Sequence, residues 1–195
     1  MTSSFGQIKT KVIGPPRVQT KAELDTERRN HDCIRRYKMS FSNRLRKYPF
    51  NIASQIRLVS YLAQPLSKDN PEILSHTGLP IENDTICYSK LNEIVTLRLG
   101  QIDTLTDILY NVGFRGPTFI ITSIQCYEPR NAILFIDSKG KTVEYIEICF
   151  GCDKTRESSE KIPVGEFCKQ KFEILRKYFL KAGVKYGTSN EEPSD

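Results

Sequence analysis

Histidine is scarce in this chain. His31 and His76 are the two present, and neither has a second histidine at the spacing of a metal site. No Gly-x-Ser-x-Gly, phosphate-binding loop or His-Glu-x-x-His pattern occurs, so the common signatures of serine hydrolases, nucleotide-binding enzymes and zinc proteases are absent. No stretch approaches the roughly 18 consecutive apolar residues of a membrane helix. The opening residues, MTSSFGQIKTKVIGPPRV, lack the apolar core of a secretory signal. These absences predict a cytoplasmic protein with no membrane partner. There, cysteines are expected as free thiols or metal ligands rather than as a disulfide framework.

The composition, 38% hydrophobic and 27% charged, is that of a globular domain. A length of 195 residues suits one domain with an appended arm. The net charge is uneven: residues 1–68 hold 14 Lys or Arg against 4 Asp or Glu, whereas residues 69–195 hold 15 against 19. Such a split suits an arm that meets nucleic acid through residues 21–48, an acidic partner, or the chain's own acidic portion. Arg28-Arg29, Arg35-Arg36 and Arg44-Leu45-Arg46-Lys47 are interleaved with Ile34, Tyr37, Met39 and Phe41, an arrangement that can stack on bases but carries no recognised nucleic-acid motif.

Periodicity sets the expected elements. The pattern predicts a helix over 22–30, a strand with one buried face over 55–62, and a long connection over 64–85 rich in proline and glycine. A strand over 93–99 is expected to end at Gly100. A helix over about 102–112 follows, with Asp103 or Thr104 as its cap and Gly113 as a left-handed stop. The densest β-forming run spans about 118–150 and reads as a three-stranded antiparallel meander. Its turns are Glu128-Pro129-Arg130-Asn131 and Asp137-Ser138-Lys139-Gly140-Lys141. After a polar loop, the helix over 166–182 carries Cys168, Phe172, Leu175, Phe179 and Ala182 on one seam and stops at Gly183. The expected fold is α+β, with a mainly antiparallel sheet and both helices on one face. The division is a basic, partly flexible arm (1–48), an α+β domain (49–188) and a tail (189–195).

The sharpest local chemistry is Cys149-Phe150-Gly151-Cys152. Two-residue spacing lets both sulfurs converge on zinc or form a redox disulfide. A zinc site would draw on Cys149, Cys152, Cys168 and Cys126, because strand parity puts Cys126 and Cys149 on one sheet face if the second hairpin closes at Asp137 and Lys141. Plain buried thiols fit the same residues. Glu144 and Glu147 fall on opposite faces of a strand, and Asp103 with Asp107 reads as cap and surface. The Tyr127-to-Asn131 turn either presents Arg130 to an anionic ligand or pairs it with a neighbouring acid.

The segments CYEPRNAILF at 126–135, EYIEICFGC at 144–152, FCKQKFEILRKYFLKAGVKYGT at 167–188 and QIDTLTDILYN at 101–111 resemble a family of uncharacterised bacterial proteins. The resemblance implies a shared core and carries over no activity, ligand or catalytic residue. The functional expectation is a non-catalytic binding protein of accessory or toxin-neutralising type, with another protein as partner and no cofactor. The alternatives are a thiol-dependent oxidoreductase using Cys149 and Cys152, zinc binding at the four cysteines, and nucleic-acid binding through the basic third.

Overall fold

The computed structural model describes residues 19–62, 78–118 and 126–188. In chain order the elements are α1 (Lys21–Asn30), β1 (Cys33–Arg35), α2 (Phe41–Leu45), β2 (Gln55–Tyr61), β3 (Ile81–Glu82), β4 (Thr85–Ile86), a short 3-10 turn (Tyr88–Lys90), β5 (Leu91–Thr96), α3 (Leu99–Asn111), β6 (Val112–Phe114), β7 (Asn131–Ile136), β8 (Thr142–Cys149), β9 (Lys154–Glu157) and α4 (Lys171–Ala182). Five strands form one antiparallel sheet in the order β5-β2-β7-β8-β9, and two small two-stranded sheets pair β1 with β6 and β3 with β4. The fold is α+β.

β7 lies in the middle and is buried at all six positions. Alternation sends Ile133 and Phe135 into one core and Ala132, Leu134 and Ile136 into another. The first core is closed by Leu105, Ile108 and Leu109 of α3 and by Phe172, Leu175 and Phe179 of α4, so both long helices lie on one face, as periodicity predicted. Residues 78–91 cover the opposite face through Leu79, Ile86, Tyr88 and Leu91. The β7–β8 turn closes as its residues dictate. Asp137 N–H donates to the Lys141 carbonyl at 2.9 Å, the Asp137 carboxylate accepts from the Lys139 and Lys141 N–H groups, and Gly140 takes φ +82°. Gly183, at φ +113°, caps α4.

The meander of this sheet is β7-β8-β9, displaced along the chain from the expected span. The expected first strand falls on residues 119–125, outside the described residues, and both edges of β7 are taken by β2 and β8. β9 falls in the stretch read as a polar loop; it is an edge strand of sequence KTRE, held by backbone pairing and by Arg156 opposite Glu147 rather than by apolar alternation. β2 buries both faces over Leu58–Tyr61, because the 78–91 segment covers the side expected to be open.

Helix boundaries also shift. α3 begins at Leu99, so Gly100 lies inside it, and Arg98 is its N-cap, where Gln101 Oε1 accepts from the Arg98 N–H at 2.9 Å. Asp103 and Thr104 therefore do not cap it. Gly113 is not a left-handed stop; it is a β6 residue whose missing side chain leaves room for the Glu166 carboxylate, which a Cβ there would meet. α4 starts at Lys171, and Cys168 precedes it. The reason is the Lys171 side chain, which is fully buried and donates to the carbonyls of Ile108, Leu109 and Val112 at the C-terminal end of α3. It satisfies acceptors that the helix cannot.

Residues 31–48 are fastened to the rest by several devices. Arg35 makes a two-pronged pair with Asp107 at 2.9 and 2.6 Å. Arg36 meets Glu166, whose carboxylate also accepts from Tyr37 Oη and the Phe114 N–H. Buried Arg44 donates to the Met39 carbonyl, Thr106 and Asp103, locking α2 onto α3. The basic segment thus docks on the chain's own acids. A disulfide between Cys33 and Cys168 joins positions 135 residues apart, and Gln170 bridges the Cys33 N–H and the Asp32 carboxylate.

Replacing both Cys33 and Cys168 with serine is expected to lower the unfolding free energy by about 2–5 kcal/mol, because the open denatured chain regains loop entropy. Urea unfolding of the double variant against wild type measures it, and an unchanged midpoint would contradict it. Desolvation outweighs the attraction of Glu166 and Asp107 and lowers Lys171 to about 8. The unfolded chain, whose lysine titrates near the usual value of about 10.4, then binds more protons across the intervening window. This residue's contribution to stability therefore rises with pH between about 8 and about 10. Lysine 13Cε NMR titration should find one midpoint near 8 that is missing from Lys171→Arg; a set of lysines all titrating above pH 10 would refute it.

Candidate functional site

β7 and β8 run antiparallel, so the start of β7 and the end of β8 meet at one end of the sheet, with Asn131 opposite Ile148. Beyond Cys149 the chain turns through 150–153, with Asp153 at φ +50°, into β9. At this rim lies a cavity of about 360 Å³, lined by Cys126, Cys149, Phe150, Gly151 and Cys152 together with Glu128, Arg130, Asn131, Arg176 and Gly187. The CxxC motif and the Tyr127-to-Asn131 turn, separate candidates in the sequence, thus share one site.

Four of the six cysteines are disulfide-bonded, where free thiols or metal ligands are expected from the sequence. Cys126 is disulfide-bonded to Cys152, while Cys168 is drawn away to Cys33; Cys149 is free and buried, and Cys87 is free and half-buried. The reason is proximity across elements: the segment entering β7 passes beside the β8–β9 turn, and Cys168 reaches β1 because α4 begins three residues later than its own position. Among the described residues, no group of three or more His, Cys, Asp or Glu is placed to hold a metal ion. His31 stands edge-on to Phe114, 5.8 Å between centroids, and His76 lies outside the described residues.

The polar groups of the cavity differ in how they are satisfied. Arg176 is held by Glu173 at 2.8 and 2.9 Å and by the Thr188 carbonyl at 2.8 Å. Fully buried Asn131 donates to the Tyr186 carbonyl at 2.9 Å, but its Oδ1 has no hydrogen-bond partner. Arg130 makes no ion pair among the described residues, in contrast with Arg35, Arg36, Arg44, Arg156 and Arg176. Glu128 is exposed at the same rim. A cation with no ion pair among the described residues and an exposed carboxylate at one hollow can receive a group that carries both an anion and an N–H donor.

Behind this rim stands a polar cluster on the sheet face away from the helices. Glu147 of β8 is fully buried and accepts from the Leu79 N–H at 2.6 Å, Arg156 Nε at 2.5 Å and Tyr127 Oη at 3.3 Å. Arg156 also lies over the Tyr127 ring, 5.2 Å from its centroid. Burial, reinforced by the Glu147 charge, pushes the Tyr61 and Tyr127 hydroxyls well above the ordinary tyrosine range, so both stay protonated. On the other face Glu144 accepts from Tyr48 and Ser158, and that hydrogen bond, ahead of burial, raises Tyr48 to about 12. The two glutamates occupy opposite faces, as parity required, and form no acid/base pair. Asp103 and Asp107 both serve the arginines of the basic segment.

The Glu147 cluster could not be found from sequence alone, since its signal is an acid on a strand otherwise destined for burial. No family model, curated protein or solved structure matches the chain. Replacing Arg156 with methionine leaves a buried carboxylate with uncharged donors only and is expected to cost about 3–5 kcal/mol of stability. Chemical denaturation checks it, and a loss under about 1 kcal/mol, the scale of an exposed pair, would contradict the structural role assigned to Glu147.

Proposed function

We propose that this protein works by binding, and that the rim cavity receives a peptide carboxylate from a partner protein. The observation that supports it is Arg130, a cation lining the cavity that makes no ion pair among the described residues. An arginine fork suits a carboxylate, and the exposed Glu128 carboxylate at the same rim can accept a peptide N–H. The partner class is therefore a polypeptide with an accessible C-terminal carboxylate. No covalent step is needed for such a role.

Two further considerations bear on this reading. Internal pairing of Arg35, Arg36 and Arg44 reduces the support for nucleic-acid binding, because phosphate contacts need cations that are not already neutralised. Four of the six cysteines are in disulfides, which supports residence in an oxidising compartment in place of the cytoplasm expected from the sequence. No helix among the described residues is long and apolar enough to cross a membrane.

An array of immobilised peptides in paired forms, free and amidated at the C-terminus, tests the proposal. Wild type is expected to retain selected free-acid peptides over their amidated twins, and Arg130→Ala to lose that preference by about tenfold or more, the equivalent of about 1.4 kcal/mol. Equal retention of the two forms, or undiminished retention by Arg130→Ala, would overturn it.

A further inference from the structure

Three cysteines line the rim cavity, and they are not equivalent. Cys126 is exposed, Cys152 is buried, and Cys149 is a buried free thiol at the last position of β8. Cys152 has two candidate partners. One is Cys126, to which it is bonded, 26 residues away in the chain. The other is Cys149, at the opposite end of the tight turn that joins β8 to β9, where Cys149 pairs with Lys154. A thiol lining the same cavity as a disulfide, three residues from one of its sulfurs, supplies the reactant pair for exchange, since attack requires a thiolate with access to one sulfur.

We infer that the Cys126–Cys152 bond exchanges with Cys149, so that the rim alternates between a Cys126–Cys152 and a Cys149–Cys152 disulfide. In the forward step Cys149 loses its proton to solvent and its thiolate sulfur attacks Cys152 Sγ. The Cys149–Cys152 bond forms as the Cys126–Cys152 bond breaks. The electron pair of the broken bond leaves on Cys126, which takes up a proton from solvent. One disulfide and one thiol stand on each side, so no oxidant or reductant is consumed.

The exchange has a directional consequence for the surface. It replaces a buried thiol by an exposed one, because Cys149 is about 2% exposed whereas Cys126 faces solvent. It also removes the covalent tie between the segment entering β7 and the β8–β9 turn, both of which wall the cavity. The second disulfide, Cys33–Cys168, lies with β1 and the approach to α4 and is untouched. The inference stands on the three sulfurs and holds whether or not the cavity takes a peptide.

Peptide mapping of the full chain tests it. The protein is held at pH 8.5 in glutathione buffers spanning reducing to oxidising ratios, quenched in acid, labelled with N-ethylmaleimide after unfolding, and digested with trypsin. Cys149 and Cys152 share the fragment 142–154, and Cys126 lies in the fragment 116–130. The expected result is a population, about one molecule in a hundred or more, in which 142–154 carries an internal disulfide and 116–130 carries the label. The remainder has the two fragments cross-linked with the label on Cys149, and label on Cys87 serves as the internal reference. In Cys149→Ser, labelled Cys126 should appear only where Cys152 is labelled as well. The inference is overturned if 142–154 never carries an internal disulfide at any buffer ratio, or if Cys149→Ser yields labelled Cys126 with Cys152 unlabelled at the wild-type level.

Discussion

β7 is hydrogen-bonded along both edges and buried on both faces, and the remaining architecture follows from what those two faces require. A strand whose six residues are all out of water must have a packed layer above and below it. On one side α3 and α4 supply that layer with Leu105, Leu109, Leu175 and Phe179. On the other side, among the described residues, the layer is supplied by residues 78–91 and not by a long helix. Irregular backbone lying on a sheet must satisfy its own polar groups; the buried Glu147 carboxylate accepts from the Leu79 N–H, and apolar packing of Leu79, Ile86, Tyr88 and Leu91 fastens the rest of the cover.

The helix layer is in turn braced by charge. α3 ends against β6 with carbonyls that no helical N–H can reach, and the buried ammonium of Lys171 takes them. Around the same joint Arg35, Arg36 and Arg44 converge on Asp107, Glu166 and Asp103. The opposite charge balances of the two parts of the chain thus meet inside one molecule. The Cys33–Cys168 disulfide closes the same joint covalently, so the N-terminal elements and α4 are held by packing, ion pairs and a cross-link together.

The rim cavity arises where this order ends. At the first residue of β7 the chain leaves the sheet, and at the last of β8 it turns toward β9; the two departures leave a hollow lined with polar and sulfur-bearing side chains. Arg130 and Asn131 belong to that departure, and so does the disulfide that spans it. A position at the end of a buried strand is both rigidly supported and open to solvent, the combination that binding residues need.

The chain's own pattern was sufficient for several elements. The existence of β2, the Asp137-to-Lys141 turn, the Phe172, Leu175 and Phe179 seam and the Gly183 stop were all readable, because each rests on contacts between residues near in sequence. Strand parity also separated Glu144 from Glu147 correctly. Other features depended on partners far away in the chain. β9 has no apolar signal and exists because β8 offers it an edge; Gly113 serves the approach of Glu166 rather than a helix stop; α4 begins late because Lys171 turns inward. The pairing of the cysteines is the clearest case. Local spacing joined Cys149 with Cys152 as a motif, whereas the folded chain brought Cys126 to one and Cys33 to Cys168, since a disulfide is decided by which sulfurs the tertiary packing sets within bonding distance and not by their separation along the backbone.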